Sequence, residues 1–163
     1  MAGLEDLYRE IILDHYRSPR NRGELPVPPA HKAEGFNPLC GDEVVVYLDV
    51  DPETETVRNI KIAGQGCSIS QASTSMMSSA VKGKTLDEVR KLTRAFKALM
   101  SIHESKLEGE GDGSELEREL EGVRLGDLEA LQGVVKFPVR IKCATLAWNT
   151  LQQGLDEVER APA

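Results

Sequence analysis

The chain has 163 residues, of which 40% are hydrophobic and 29% are charged, and its formal net charge is −7. This length fits one domain with one sizeable core, and the composition excludes a disordered chain, a collagen-like repeat and a membrane protein. The acidic balance argues against nucleic acid as the main partner, and no apolar run approaches the roughly 20 residues that a membrane span requires. The first ten residues show no secretory signal, so we expect a cytoplasmic protein.

The predicted elements begin with one helix and continue with strands. Apolar residues at helical spacing predict a helix over residues 4–17, which Ser18-Pro19 ends because proline disfavours a helical residue before it. β-Branched runs predict strands from Val44 to Val50 and from Val57 to Ala63, joined as an antiparallel hairpin. Residues 33–37 are predicted as a short edge strand.

Helices fill the second half of the chain. The patterns predict helices over 68–82, from Leu86 to about residue 103, from Leu125 to Leu131, and over 140–160. Thr85 and Glu88 have the spacing of a capping box at the start of the second of these helices. This order indicates an α+β fold, with a small antiparallel sheet of about three strands and helices packed on one face. We expect a single domain over residues 1–163.

The negative charge is concentrated in one segment. Residues 104–121 carry eight acids and two bases, and three glycines lie within 109–113. We interpret residues of about 101–124 as an acidic insertion. A solvated surface loop and a docking surface for a basic partner are both consistent with it.

Three cysteines cannot pair evenly, so reduced thiols, a metal site or redox chemistry are the expected uses. Cys40 precedes a strand, Cys67 lies between a strand and a helix, and Cys143 is predicted at the start of the last helix. Because the dipole of a helix stabilises a thiolate at its first turn, Cys67 and Cys143 are candidate thiolates. Asp42 lies two residues from Cys40 and would share a face with it in a strand.

Cys40, Asp42, Cys67 and Cys143 would together complete a four-coordinate zinc site. Their spacing alone is weak evidence, because it is not that of a zinc ribbon. A structural buried Cys143 and an Asp42 that only caps a turn are the alternatives. Arg140 is a candidate to orient Asp42 or a sulfur anion, or to form a surface ion pair, and Lys142 a candidate to lower a nearby thiol pKa.

Five motifs of the chain stand out, namely Asp14–Gly23, Asn37–Asp42, Gly64–Ser73, Lys82–Thr85 and Arg140–Ala144. Together they resemble the U-type iron–sulfur cluster assembly family, which includes IscU, SufU and the NifU-like N-terminal domain. The resemblance covers nearly the whole chain and is closest to the SufU branch, because Lys142 stands where IscU-type scaffolds have a histidine and because the acidic insertion is present.

The resemblance implies a zinc-dependent sulfurtransferase that accepts persulfide sulfur from a pyridoxal-phosphate cysteine desulfurase and passes it to downstream Suf assembly proteins. It would be a sulfur-transfer protein and not a conventional small-molecule enzyme. Cys40, Asp42, Cys67 and Cys143 would be the zinc ligands, and Cys40 would receive the sulfur, since its Pro- and Gly-containing loop moves most easily.

Two other functions remain open at this point. A scaffold that carries a transient iron–sulfur cluster would use the same thiolates. A structural zinc module that acts only as a binding adaptor would need no chemistry at all.

Overall fold

The computed structural model describes residues 4–27, 30–38, 41–108 and 126–160. Its centre is a three-stranded antiparallel sheet in the order β1-β2-β3, with β1 at His31–Asn37, β2 at Asp42–Asp51 and β3 at Thr56–Gln65. The hairpin and the edge strand predicted from the sequence are confirmed, and both hairpin strands are longer than predicted.

The outer edge of β3 is paired by two short pieces of backbone. The Gly23 amide donates to the Ile62 carbonyl, and the Ile62 amide donates to Asn21. Further along the same edge, the Val57 amide donates to the Lys84 carbonyl. These bonds satisfy backbone groups that an open edge would leave exposed, and they fix to the sheet both the chain that follows the first helix and the connection at residues 82–85.

In the part of the chain that the structure describes, four α-helices and one 3-10 helix form the layer that covers the inner face of the sheet. They are α1 at Leu4–Arg17, α2 at Ser68–Val81, α3 at Leu86–Glu108, the 3-10 helix at Gly126–Lys136 and α4 at Pro138–Arg160. The first two agree with the predicted bounds.

Three helix predictions need correction. Helix α3 runs five residues past the predicted end and so includes the first part of the acidic insertion, while residues 109–125 lie outside the described residues. The segment predicted over Leu125–Leu131 is a longer 3-10 helix. Helix α4 begins two residues earlier than predicted, because Pro138 takes the first helical position, where its missing amide costs nothing.

The core lies between the inner face of the sheet and the helices. β2 and β3 contribute Val44, Val46, Leu48, Ile60 and Ile62, all of which are buried. On the helical side, the rings of Phe96 and Trp148 stack with their centroids 4.9 Å apart. The apolar faces predicted for the helices are therefore the faces that pack.

The buried side chain of His15 links three helices through hydrogen bonds. Its Nδ1 lies 2.8 Å from Ser75 Oγ on α2, and its Nε2 lies 2.8 Å from Asp127 Oδ2 on the 3-10 helix. The sequence indicates a packing histidine on the apolar stripe of α1, and the structure agrees. None of the helices in the described part of the chain is long and apolar enough to cross a membrane.

Helix α4 packs closely across β1 because glycine occupies position 35. A Cβ at Gly35 would lie 2.0 Å from Thr150 Oγ1 and 3.3 Å from Leu146 Cδ1. We therefore expect Gly35→Ala to lower the free energy of unfolding by about 1–3 kcal/mol, the usual cost of overpacking. Denaturant titration measures this change.

The control is Gly133→Ala, where the added methyl meets no atom within 4 Å. Combining Gly35→Ala with Thr150→Ala removes the oxygen in the closest contact and should recover part of the loss. An unchanged midpoint in Gly35→Ala would contradict the packing described here.

Candidate metal centre

Three elements bring three metal-binding side chains together. Asp42 begins β2, Cys67 lies between β3 and α2, and Cys143 lies in α4. One carboxylate oxygen of Asp42 and the sulfur atoms of Cys67 and Cys143 all lie within 4.8 Å of one another. Within the described ranges, this is the one group of three or more His, Cys, Asp or Glu side chains that could hold a metal ion.

Asp42 is held in place through one of its two carboxylate oxygens. The side chain is fully buried, and Oδ1 accepts a hydrogen bond of 2.8 Å from the Cys67 amide. Oδ2 lies 3.7 Å from Cys67 Sγ. Since one oxygen is engaged by the backbone, Asp42 is arranged to bind a metal through the other oxygen alone.

Glycine at position 66 makes that arrangement possible. The register pairs Glu43 with Gln65, so Gly66 follows directly beside Asp42. A Cβ at Gly66 would lie 2.4 Å from Asp42 Oδ1, and the φ of +157° also favours glycine. The sequence shows the glycine next to Cys67, but only the sheet register reveals that it touches Asp42.

Cys67 is the N-cap residue of α2. Its Sγ accepts a hydrogen bond of 3.4 Å from the Ser70 amide, and its carbonyl accepts one from Gln71. A sulfur atom at this position faces the positive end of the helix dipole. The position predicted for Cys67, at the start of a helix, is the one found in the structure.

The corresponding prediction for Cys143 was wrong. Because α4 begins at Pro138, Cys143 is its sixth residue and lies in the second turn, where the helix dipole has little effect. Its side chain is fully buried, with Sγ 3.9 Å from the Val139 carbonyl oxygen. A buried cysteine is common in protein cores, so its place in the cluster is what distinguishes it.

Arg140 is a cation that interacts with both thiols of the cluster. The charge of the Cys67 thiolate raises the pKa of Arg140 above its ordinary value; burial opposes this, and Cys143 adds a hydrogen bond and further charge. Both Arg140 and Lys142 are exposed. Arg140 is thus placed to stabilise negative charge on sulfur.

Of the four ligands predicted from the sequence, three are brought together. Cys40 lies outside the described residues, between β1 and β2 in the sequence and two residues before Asp42. Of the histidines, His15 and His31 have other partners, namely Ser75, Asp127 and Glu157. The side chain of His103 is outside the described part of the chain.

The donor set fits zinc. Two sulfurs and one carboxylate oxygen are ligands of tetrahedral zinc sites, in which metal–ligand bonds of about 2.0–2.3 Å place the ligand atoms about 3.3–3.8 Å apart. The three donor atoms already converge to within 4.8 Å. Three protein ligands leave one position, which a further side chain or an exogenous ligand fills.

The chain is thus a small antiparallel sheet covered by helices, with an Asp/Cys cluster at one end that could hold a metal ion. The family model for the NifU-like N-terminal domain matches residues 7–144. The chain belongs to this family. The resemblance found in its motifs is thereby confirmed.

Two relatives show the range of functions in the family. The chain is 40% identical to the zinc-dependent sulfurtransferase SufU of Bacillus subtilis over 158 residues, covering 97% of this chain and 95% of that protein. It is 37% identical to the iron–sulfur cluster assembly scaffold protein IscU of Streptococcus pyogenes over 155 residues, covering 95% and 86%.

Solved structures share the fold. The SUF-system scaffold protein of Fervidobacterium islandicum matches with a TM-score of 0.69 and 30% identity over 94% of this chain and 99% of that one. The NifU-like N-terminal protein of Brucella abortus matches with a TM-score of 0.76 over 98% and 99%, and at 23% identity it supports the fold alone. The predicted fold class is confirmed.

We expect Gly66→Ala to lower the zinc content of the purified protein well below that of the parent chain. The added methyl displaces the Asp42 carboxylate and breaks its hydrogen bond with the Cys67 amide. Elemental analysis and competition with a chromogenic chelator measure the effect.

Gly83→Ala is the matched control, because Gly83 also has a positive φ, of +84°, but a Cβ there meets nothing within 4 Å. Equal zinc content in the two variants would show that Asp42 does not depend on Gly66.

Proposed function

We propose that this chain is a zinc-dependent sulfurtransferase that accepts persulfide sulfur from a pyridoxal-phosphate cysteine desulfurase during iron–sulfur cluster assembly. The convergence of Asp42, Cys67 and Cys143 is the observation that carries the proposal. The similarity to the B. subtilis sulfurtransferase over 97% of the chain supports it. The proposed setting is the cytoplasm, with downstream Suf assembly proteins as recipients of the sulfur.

Asp42, Cys67 and Cys143 would hold the zinc, and Cys40 is the proposed fourth ligand. When bound, zinc keeps its cysteine ligands deprotonated at neutral pH, so that a nucleophilic thiolate is present without a separate base. The Cys67 sulfur also accepts a hydrogen bond from the Ser70 amide, which would stabilise negative charge on it.

Cys40 is the proposed sulfur acceptor. Its thiolate attacks the terminal sulfur of the donor's persulfide, a new S–S bond forms, and the old S–S bond breaks as the donor cysteine leaves as a thiolate. Electrons and atoms balance without an external oxidant. The product is a persulfide on Cys40.

The other two cysteines are poorly suited to this step. Cys67 is fixed by the cap of α2, and Cys143 is fully buried in α4. Movement of either would disturb a packed helix. Cys40 lies in the sequence between β1 and β2 and is followed by Gly41, and connections between elements tolerate rearrangement more readily than packed helices do.

Arg140 would stabilise the negative charge on sulfur during the exchange. It is exposed, and it lies close enough to Cys67 and Cys143 for their charge to raise its pKa. Lys142 is also exposed, and its positive charge would add to that of Arg140 near the sulfur atoms.

A scaffold for a transient iron–sulfur cluster is the second candidate, favoured by the 37% identity to the S. pyogenes IscU protein. The two candidates differ in what the purified protein contains. One zinc per chain supports the sulfurtransferase, whereas iron with inorganic sulfide supports the scaffold. A structural zinc adaptor would contain zinc but would not accelerate a desulfurase.

We expect persulfide on Cys40 after incubation of the zinc-loaded chain with a cysteine desulfurase and cysteine. Alkylation followed by peptide mass spectrometry locates it. Cys40→Ser should abolish the stimulation of the desulfurase while the far-ultraviolet circular dichroism spectrum stays that of the parent chain, because Asp42, Cys67 and Cys143 remain in packed elements.

The informative comparison is Arg140→Lys, which keeps the charge but not the planar guanidinium, and which should reduce the rate of labelling without moving the label. Persulfide confined to Cys67 or Cys143, or full stimulation by Cys40→Ser, would exclude Cys40 as the acceptor.

The acidic insertion is proposed as a docking surface for the desulfurase. The segment 104–121 carries a net charge of −6, and its sequence offers little to bury. Helix α3 extends into it as far as Glu108, and the 3-10 helix resumes at Gly126, so the core elements on either side are complete without it.

Deletion of about residues 106–121 should leave the fold and the zinc content unchanged and weaken the complex with the desulfurase. Salt should weaken the parent complex more than the complex of the deletion variant, because screening acts on the charges that the deletion removes. Calorimetric titration at two ionic strengths measures both effects. Equal affinities for the two proteins would make the segment a solvated surface loop.

A further inference from the structure

An apolar cleft of about 950 Å³ lies beside the metal centre. Helix α1, the start of α2, the 3-10 helix and the start of α4 form its walls. Its apolar lining includes Tyr8, Ile12, Ile69, Val134, Phe137 and Val139. This volume accommodates one or two large side chains.

The cleft and the metal centre share residues. Ser68 lines the cleft and directly follows Cys67, while the carbonyl oxygen of Val139, also in the lining, lies 3.9 Å from Cys143 Sγ. Arg140 belongs to the cleft wall and is also close to both thiols. A protein that reaches the metal centre from this side therefore covers the cleft.

Two apolar side chains of this cleft face water. Phe137 and Val139 are each 62% exposed, the highest values among the large hydrophobic residues that the structure describes. Their burial would be favourable in proportion to the area removed from water. Exposed apolar side chains that line a concave surface are typical of a site for a partner.

The charged side chains of the cleft are basic although the chain as a whole is acidic. Arg9 and Arg140 both line it. Among the described side chains, neither arginine forms an ion pair with a carboxylate. The cleft is therefore complementary to an apolar side chain that has an acidic neighbour.

We propose that this cleft receives an apolar side chain, flanked by an acidic residue, from the segment of the sulfur-donor protein that carries its persulfide. The inference rests on the proposed function, since the donor must approach the metal centre. A second copy of this chain is a weaker candidate, because it would cover the approach that the donor needs.

The test is the affinity of the zinc-loaded chain for a purified cysteine desulfurase, measured by calorimetric titration. In the variant Phe137→Ser/Val139→Ser, we expect the dissociation constant to rise about tenfold or more, as truncation of central apolar contacts does. Zinc content should stay unchanged, because both side chains are exposed and neither is a metal donor. At saturating concentrations, the maximal rate of persulfide formation should also be retained.

The matched control is Phe36→Ser/Val27→Ser. These residues have the same chemistry and similar exposure, 60% and 54%, and they do not line the cleft. The control should bind like the parent chain. An equal rise of the dissociation constant in both double variants, or no rise in either, would overturn the proposal.

The variant Arg9→Gln tests whether the cleft recognises an acidic residue of the partner. It should weaken the complex and reduce its dependence on salt, since it removes one attraction that salt screens. An unchanged salt dependence would exclude an acidic neighbour at Arg9.

Binding and sulfur transfer are separate readouts, so the two proposals fail separately. Binding that depends on the cleft, without persulfide on Cys40, would support the docking and refute the proposed function. Persulfide on Cys40, together with unaltered desulfurase binding by Phe137→Ser/Val139→Ser, would support the proposed function and refute the docking. Loss of a dimer in Phe137→Ser/Val139→Ser on sedimentation, with unchanged desulfurase affinity, would assign the cleft to a second copy and overturn the docking.

Discussion

The hydrogen bond from the Cys67 amide to Asp42 Oδ1 is the contact on which the metal centre depends. It joins the first residue of β2 to the residue that caps α2, so the sheet and the helix are tied at the point where the donor atoms meet. Hydrogen bonds to charged groups contribute about 1.5–3 kcal/mol, and a buried carboxylate without one would be costly. Gly66 allows the approach because it has no Cβ to meet the carboxylate.

The remaining donor is positioned by packing. Ser73 on α2 donates a hydrogen bond to the Ala144 carbonyl on α4, next to Cys143. One turn further along α4, Trp148 stacks on Phe96 of α3 within the same core. Cys67 and Cys143 are therefore fixed relative to each other by the α2–α4 contact, while Asp42 is fixed by the sheet. The geometry of the cluster therefore depends on three elements, β2, α2 and α4, each of which is held by its own packing and hydrogen bonds.

Much of the fold could be predicted from local patterns. The apolar stripe of α1, the β-branched runs of β2 and β3, and the capping box of Thr85 and Glu88 each have a local cause, and the structure contains all of them. The start of α4 differs from the prediction because Pro138 occupies the first helical position, which apolar periodicity alone does not indicate. The contact of Gly66 with Asp42 and the cleft beside the site arise from tertiary packing, and no local pattern encodes them.

The unequal anchoring of the site has an electrostatic consequence. Asp42 and Cys143 are fully buried and Cys67 is half-buried, so three groups that can carry negative charge share a space with little water. Negative charges held this close together in a space with little water repel one another unless a cation lies between them. Arg140 is exposed and contributes only a single positive charge from the edge of the site. A divalent ion held by the three donors would offset the remaining repulsion, so the elements that bury Asp42 and Cys143 would also favour the metal-bound site over the empty one.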